Sequence, residues 1–410
     1  MKPIALLSLV LIAAVTGAQE GGKADEQLFD PEAYPGVAED QLYALGYLPG
    51  ETKPAVRTGV ILHREGRPSP GVNLVISPHT TGAYLMTLEG RILHEWHFAL
   101  WKSEAIRSAP PEIRKYEGRT FDYWSRVHLF ENGDLLFVHK GCGLFRLDRD
   151  SRLQWSCWIR AHHDLEVIEN GHIYTLVYSE PDEENWPDMT GVKDYLYELD
   201  ENGAPVRKIC IDDAIARSGY ANLRRGHELE YLHSNEIVVL DGAWADRNPV
   251  FRKGNVLISC RDLDAFLVLD PAAEQVVWAM TGGWRRQHGP VLLPETGSML
   301  VFDNRGNEGY SRILEVNVFT GEEKTRYQGQ PKRAFFSAVG GYTQPLPNGN
   351  LLITESTQGA AFEVTPDGDR VWEYVNPALP DDDTARVAPL FLVQRLALPA
   401  ALSVTGVAPE

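Results

Sequence analysis

Three histidines occupy the same place in separate copies of a repeated strand pattern, at or near the start of a strand. They are His163 in "AHHDLEVIENG", His233 in "LHSNEIVVL" and His288 in "QHGPVLLPETG". Arg261 ends another apolar strand, in "GNVLISCR", and is predicted to lie at the same end of the fold. A pocket of imidazoles and one guanidinium suits an anion, because both groups can hold negatively charged oxygens.

The pattern that carries these residues recurs six times along the chain. Each copy contains three or four short strands, with Gly, Asn or Asp in the hairpin turns, where a positive φ or a side-chain hydrogen bond is needed. The copies span Gly71–Trp96, Phe130–Trp158, Ile168–Ile209, Arg252–Met280, Pro294–Tyr327 and Leu346–Tyr374. An all-β repeat of roughly 40 to 60 residues is typical of a propeller blade. The sequence therefore predicts an all-β, six-bladed β-propeller, in which equivalent residues of the blades converge on the central channel.

The two ends of the chain differ from the repeat. Residues 1–18 have the layout of a secretory signal peptide, with a lysine, an apolar run and small residues. Residues 19–60 are predicted to be a short N-terminal extension, with a helical pattern at Ala38–Leu48, and residues 61–400 to be the propeller. The segment Ala388–Leu398 reads as a strand that closes the ring, which removes exposed sheet edges.

Composition limits the partners. The formal net charge of -18 argues against nucleic acid and anionic membranes, which repel an acidic surface. A small anion in a locally basic pocket remains compatible with it. Four cysteines lie far apart without a CxxC pair, so their pairing is not fixed by the sequence. They are Cys142, Cys157, Cys210 and Cys260.

Two alternatives for the histidines stay open at this point. One is a structural role, since a lone histidine at a strand start usually satisfies a turn or the core. The other is a metal site, since imidazole is a common metal ligand, although the neighbouring Arg261 argues against it. His162 points to the opposite face from His163 if the strand is extended, and is predicted either to pack in the core or to support the pocket residues from behind.

The ordered motifs resemble those of the bacterial arylsulfotransferase family. The resemblance extends from about Gly71 to Pro377 and rests on the following motifs: "HHD" (162–164), "HSN" (233–235), "GNVLISCR" (254–261), "QH" (287–288), "FDN" (302–304), "SR" (311–312) and "LPNGNLLITES" (346–356). Two departures stand out: Gly289 follows "QH" where a polar residue is more usual, and the N-terminal part is short.

The resemblance implies a six-bladed propeller that acts outside the cytoplasm, periplasmic or secreted. It implies transfer of a sulfuryl group from a phenolic sulfate ester to a phenol, with no nucleotide donor and no cofactor. His288 would be transiently sulfurylated, and His163, His233 and Arg261 would hold sulfate oxygens or handle the phenolic proton. Asn304 and Arg312 are assigned to substrate binding or to orienting the channel residues; turn formation and a surface ion pair are their open alternatives.

The residue types fit that chemistry on their own account. A neutral imidazole can attack sulfur and expel a phenolate, which splits one difficult transfer into two steps. A guanidinium can stabilise charge on the oxygens of the moving group, and a second histidine can carry the proton. The competing function is a non-catalytic propeller that binds an anionic or carbohydrate ligand. A quinone- or metal-dependent oxidoreductase is permitted by the fold class alone.

Overall fold

Six antiparallel sheets, arranged as the blades of a propeller, account for nearly all of the regular structure, which confirms the predicted fold class. The computed structural model describes residues 57–78, 80–114, 123–179, 192–224, 231–305, 308–377 and 388–397. The predicted signal peptide and the helical pattern at Ala38–Leu48 lie outside these residues.

In the first three blades the strands follow the chain in order from the innermost to the outermost, except for β25 in blade one. Blade one contains β25 (Leu392–Leu396), β2 (Val72–Ile76), β3 (Gly82–Met86) and β4 (Ile92–His97). Blade two contains β5 (Trp124–Leu129), β6 (Leu135–His139), β7 (Gly143–Leu147) and β8 (Leu153–Cys157). Blade three contains β9 (Ala161–Val167), β10 (Ile173–Tyr178), β11 (Asp194–Leu199) and β12 (Pro205–Cys210).

The last three blades repeat this order. Blade four contains β13 (Ser234–Val239), β14 (Val256–Cys260), β15 (Ala265–Asp270) and β16 (Gln275–Thr281). Blade five contains β17 (His288–Leu293), β18 (Ser298–Asp303), β19 (Arg312–Asn317) and β20 (Glu323–Gln328). Blade six contains β21 (Tyr342–Pro345), β22 (Leu351–Glu355), β23 (Ala360–Val364) and β24 (Arg370–Val375), with β1 (Gly59–His63) as a fifth, outer strand.

Both ends of the described chain close the ring. β25 pairs with β2 along its whole length, from Val72 opposite Leu396 to Ile76 opposite Leu392, and so supplies the innermost strand of blade one. β1 pairs with the outermost strand of blade six. The prediction that the segment at Ala388–Leu398 closes the ring is confirmed.

Helical structure is confined to short connections. Within the described ranges there are two α-helices, Pro111–Arg114 and Ile211–Ala216. Single turns of 3-10 helix lie at Leu100–Lys102, Glu104–Ser108, Ala221–Leu223, Pro249–Phe251, Arg261–Leu263, Lys332–Ala334 and Ser356–Gln358.

The core is divided among the faces where neighbouring blades stack. The second strand of each blade is buried along its whole length, or nearly so, because both of its faces meet another blade. Such strands read as continuous apolar runs, as in "VLISC", and not as an alternating pattern. Each interface has its own hydrophobic cluster; Trp96 and Phe137 join blades one and two, and Phe302 and Phe362 join blades five and six. This stacking fixes the inner strands around the channel.

Candidate functional site

The four residues predicted to form the pocket lie together at one end of the channel. His163 is the third residue of β9, His233 directly precedes β13, and His288 is the first residue of β17. The rings of His163 and His233 are in edge contact, with centroids 4.8 Å apart. Arg261 follows β14, which runs antiparallel to β13, and its backbone N–H donates to the carbonyl of His233 at 3.2 Å.

Irregular backbone at the start of each inner strand places these side chains. His163 and His233 have φ values of 55° and 42°, and Gly289 has a φ of 58°. The register shifts near the start of β9, β13 and β17, as it does at a β-bulge. A bulge bends the strand and redirects a side chain, and a left-handed conformation is uncommon for histidine. Backbone of this kind concentrates at functional sites.

Gln287, the first residue of the "QH" motif, ties the His288 strand to blade four. Its fully buried amide donates to the carbonyls of Cys260 and Ala265 at 3.2 and 3.0 Å. The backbone carbonyl of Gln287 accepts a hydrogen bond from Asn235 Nδ2 at 2.8 Å. His288 is therefore held directly beside the strands that carry His233 and Arg261.

The hydrogen bonds around His288 define its tautomer. Asn304 Nδ2 lies 2.9 Å from the carbonyl of Ser337 and 2.6 Å from that of Gly340, so the amide nitrogen donates to both. Asn304 Oδ1 is then the acceptor for His288 Nδ1 at 2.8 Å, and the carbonyl of Arg286 also accepts from Nδ1 at 3.1 Å. Because the proton sits on Nδ1, the lone pair of His288 is on Nε2.

The electrostatics of the site keep His288 neutral. Burial lowers its pKa to about 3, and the charges of Arg261 and His233 act in the same direction. The hydrogen bond to Asn304 opposes this shift without reversing it. A neutral imidazole with a defined lone pair is a competent nucleophile at neutral pH.

Arg261 is the cation whose charge acts most strongly on His233 and His288. It is 4% exposed, and Asp262 accepts from its Nε and Nη2 at 2.8 and 3.0 Å. This fork fixes the plane of the guanidinium. After burial, the charge of Arg261 is the largest cause that lowers the pKa of His233. The guanidinium can therefore hold an anion while the imidazoles stay neutral.

Arg312 is not grouped with these residues. Its Nε donates to the fully buried Asp303 at 2.7 Å, and its Nη2 donates to the carbonyl of Gly283 at 2.9 Å. Asp303 lies on blade five and Gly283 in the connection between blades four and five, so neither contact is with the histidines. Asn304 contacts His288 directly, whereas Arg312 forms an ion pair with the fully buried Asp303 and not a surface ion pair.

The expectation that His162 points away from His163 was wrong, because the strand is not extended there. In β9, His162 pairs with Leu176 while Leu165 pairs with Thr175, so His163 and Asp164 bulge. His162 Nδ1 lies 2.7 Å from His163 Nδ1. The sequence signal for this proximity was the "HH" pair itself, but the bulge could not be read from it.

A second polar group missed by sequence reasoning lies directly beside the histidines. Arg126, from β5, forms ion pairs of 2.7 Å with Asp164 of β9 and with Glu236 of β13. Glu236 also accepts the backbone N–H of Gly289, next to His288. We call Arg126, Asp164 and Glu236 the channel cluster; it ties together the inner strands of blades two to five. Burial raises the pKa of Glu236 to about 8 and also raises that of Asp164.

The cysteines, possible metal ligands and possible membrane-spanning helices were the other features to locate in the structure. All four cysteines are buried free thiols. No group of three or more His, Cys, Asp or Glu side chains within the described ranges is arranged to hold a metal ion. In the same part of the chain, no helix has the length and apolar character needed to cross a membrane.

Comparison with known proteins identifies a family and a fold. The family model described as "Arylsulfotransferase (ASST)" matches residues 126–377. No curated protein matches the chain. Among solved structures, a protein of unknown function from Bacteroides caccae is 14% identical with a TM-score of 0.50, covering 75% of this chain and 94% of that one.

Two further structures are less similar. Virginiamycin B lyase from Staphylococcus aureus is 9% identical, with a TM-score of 0.38 over 62% of this chain and 69% of that chain. The WD40 β-propeller domain of Doa1 is 12% identical, with a TM-score of 0.42 over 78% of this chain and 88% of that chain. The likeness to the Bacteroides caccae structure concerns the fold alone.

Proposed function

Since the chain belongs to the arylsulfotransferase family, we propose that it moves a sulfuryl group from a phenolic sulfate ester to a phenolic acceptor through a sulfo-histidine formed on His288. The observation that carries this proposal is the hydrogen bonding of His288. Asn304 and the carbonyl of Arg286 hold the Nδ1 proton, so Nε2 keeps the lone pair in a ring whose pKa is lowered to about 3.

In the first half of the reaction, His288 Nε2 attacks the sulfur of the donor. The N–S bond forms as the ester O–S bond breaks, and the oxygen leaves as a phenolate. The imidazole becomes positively charged, which strengthens the hydrogen bond from Nδ1 to Asn304 Oδ1. Arg261, held by Asp262, faces the charge that spreads over the sulfuryl oxygens.

In the second half, a phenol attacks the sulfur of the sulfo-histidine. The new O–S bond forms while the N–S bond breaks, and its electron pair returns to His288 Nε2. The acceptor must lose its proton and the leaving phenolate must gain one, which suits the second and third histidines of the pocket. No nucleotide and no cofactor enters this sequence of steps.

We also propose that the protein is exported to the periplasm or secreted, on the strength of the signal-like segment at residues 1–18. Expression of the full chain with fractionation of the cells, followed by N-terminal sequencing of the product, tests this. Recovery of the chain in the cytoplasm with its N-terminus intact would count against export.

The test of the transfer reaction is release of nitrophenolate from 4-nitrophenyl sulfate, with and without added phenol. We expect acceptor-dependent release by the wild type and loss of release in His288→Ala. His128→Ala is the matched control, because His128 also lies on an inner strand but contacts Phe130 and not the pocket.

The decisive intermediate can be trapped directly. Without acceptor, the wild type should form one equivalent of nitrophenolate and a sulfuryl adduct on the peptide that contains His288, found by mass spectrometry. Tight binding of aryl sulfates, with no release of nitrophenolate in the presence of any acceptor tested, would instead support a non-catalytic propeller that binds an anionic or carbohydrate ligand.

A further inference from the structure

A buried carboxylate and a buried histidine stand in line behind His163, and the steps above use neither. The His162 ring is fully buried and stacks on Tyr178, with centroids 3.7 Å apart and planes at 11°. His162 Nδ1 lies 2.7 Å from His163 Nδ1, and on the other side His162 Nε2 lies 3.6 Å from Asp194 Oδ1. Asp194, His162 and His163 thus form a row that ends in the pocket.

The carboxylate favours one placement of the protons on the nitrogens of this row. Asp194 is 2% exposed, and its Oδ2 accepts the backbone N–H of Ser234 at 2.7 Å, which fixes it between blades three and four. A carboxylate facing His162 Nε2 favours a proton on that nitrogen, so His162 Nδ1 is the acceptor. The short contact between the rings then requires a proton on His163 Nδ1, which leaves the lone pair of His163 on Nε2.

We propose that Asp194 and His162 are positioning residues that make His163 the general base of the sulfuryl transfer, an inference that rests on the proposed function. His163 Nε2 takes the proton of the acceptor phenol as its oxygen bonds to sulfur and the N–S bond of sulfo-His288 breaks. The imidazolium that forms donates from Nδ1 to His162. In the next turnover His163 returns this proton to the leaving phenolate, so the cycle neither gains nor loses a proton.

The charges around the row explain why such support is needed. Burial is the main cause that holds the pKa of His162 and His163 well below the usual value. The cationic groups that face the pair lower it further; they are Lys140, Arg160, Arg261 and, when protonated, His233. Among the described residues around the pair, Asp194 is the carboxylate in ion-pair contact with it. A proton on His163 is therefore stabilised from the side of His162.

The geometry favours His163 over His233 for this task. His163 is partly exposed to the pocket, whereas His233 is 1% exposed. His233 also lies closer to Asp262 and Arg261, which act on its pKa in opposite directions. Among the described contacts, His163 is backed by a second imidazole through a direct contact between ring nitrogens.

The experiment measures kcat and KM for a series of phenol acceptors, from weakly acidic phenols to phenols already ionised at the assay pH. Asp194→Asn and His162→Gln should lower kcat for weakly acidic acceptors by about tenfold or more, which is a part of the roughly 10²–10⁴-fold that general base catalysis contributes. For ionised acceptors the loss should stay below about twofold, because no proton is then removed. KM for the donor should change little.

The control is Glu363→Gln. Glu363 is fully buried like Asp194 and pairs with Arg395 at 3.1 Å, on blades six and one and away from the row. It should lower the melting temperature and leave the dependence on acceptor acidity unchanged. A loss of kcat that is equal for all acceptors in Asp194→Asn and His162→Gln overturns the inference.

A second measurement separates this inference from the proposed function. If the wild type transfers to no acceptor, the proposed function fails, and the row is judged from ¹⁵N chemical shifts of labelled histidines. His163 protonated on Nδ1 in the wild type, with mixed tautomers in Asp194→Asn, supports the arrangement. His163 protonated on Nε2 in the wild type overturns it.

Discussion

Removing the side-chain amide of Asn304 should slow sulfuryl transfer while leaving donor affinity nearly unchanged. In Asn304→Ala, His288 Nδ1 loses its acceptor at 2.8 Å and keeps only the carbonyl of Arg286 at 3.1 Å. In the proposed reaction this hydrogen bond is stronger in the transition state, where Nε2 bonds to sulfur and the ring becomes positive. An interaction that strengthens in the transition state acts on kcat more than on KM.

The expected loss of kcat follows from the two hydrogen-bond acceptors of His288 Nδ1. A hydrogen bond to a charged group contributes about 1.5–3 kcal/mol. Since the Arg286 carbonyl stays in place, the lower figure applies, and about 1.5 kcal/mol corresponds to roughly a tenfold loss of kcat. The same variant leaves the carbonyls of Ser337 and Gly340 without their amide donor, which should cost about 1–3 kcal/mol of unfolding free energy.

A matched variant distinguishes catalysis from stability. Asn376 is also buried, and its Nδ2 donates to the carbonyls of Ala388 and Pro389 at 3.1 and 3.0 Å, away from the histidines. Single-turnover release of nitrophenolate and urea denaturation should be measured for both variants. Asn304→Ala and Asn376→Ala should lose similar stability, and only Asn304→Ala should lose rate. An equal loss of rate in both, or a wild-type rate in Asn304→Ala, would refute the reasoning.

Three further outcomes follow from buried charges. Arg126→Gln leaves two buried carboxylates without their cation and should reduce the unfolding free energy by about 3–5 kcal/mol in urea denaturation, more than Glu236→Gln does; equal losses would contradict the channel cluster as described. Arg312→Gln should lower stability but change kcat by less than about twofold, since its contacts are with Asp303 and Gly283 and not with the histidines; a large rise in donor KM would instead support a role in substrate binding. Glu166 has a pKa raised to about 7, mainly by burial, so stability from its protonated form is present below about pH 4.5 and lost as the pH rises through about 7. Relative to Glu166→Gln, the wild type should therefore lose unfolding free energy across this window, and parallel pH profiles would rule out this assignment.

The fold and the three pocket histidines could be predicted from the sequence because both depend on the periodicity of the repeat. The turn glycines and the runs such as "VLISC" repeat once per blade, and each run is buried on both faces by its neighbours. Equivalent positions in successive blades have equivalent places around the axis. That symmetry is enough to bring His163, His233 and His288 together from three separate stretches of sequence.

The positions of the polar groups behind the three histidines are set by local backbone conformation and by contacts between blades, which the periodicity of the sequence does not encode. His162 was assigned to the wrong face because a regular strand alternates its side chains, whereas β9 bulges at His163. Arg126 and Glu236 stand in strands that look ordinary, "WSRVHL" and "SNEIVV", and are 110 positions apart. A charged residue inside an otherwise buried inner strand was the available signal.

The protonation of the histidines bears on the choice between binding and transfer. A pocket built only to hold an anion would gain from imidazolium groups, because each adds a positive charge and a second donor. Here burial lowers the pKa of His163, His233 and His288, and nearby cations lower it further. The positive charge is left to arginine and lysine side chains such as Arg261, while His288 keeps a lone pair on a defined nitrogen. Such a division of roles weakens the histidines as anion ligands and favours them as nucleophile and base, so the site is better suited to sulfuryl transfer than to binding alone.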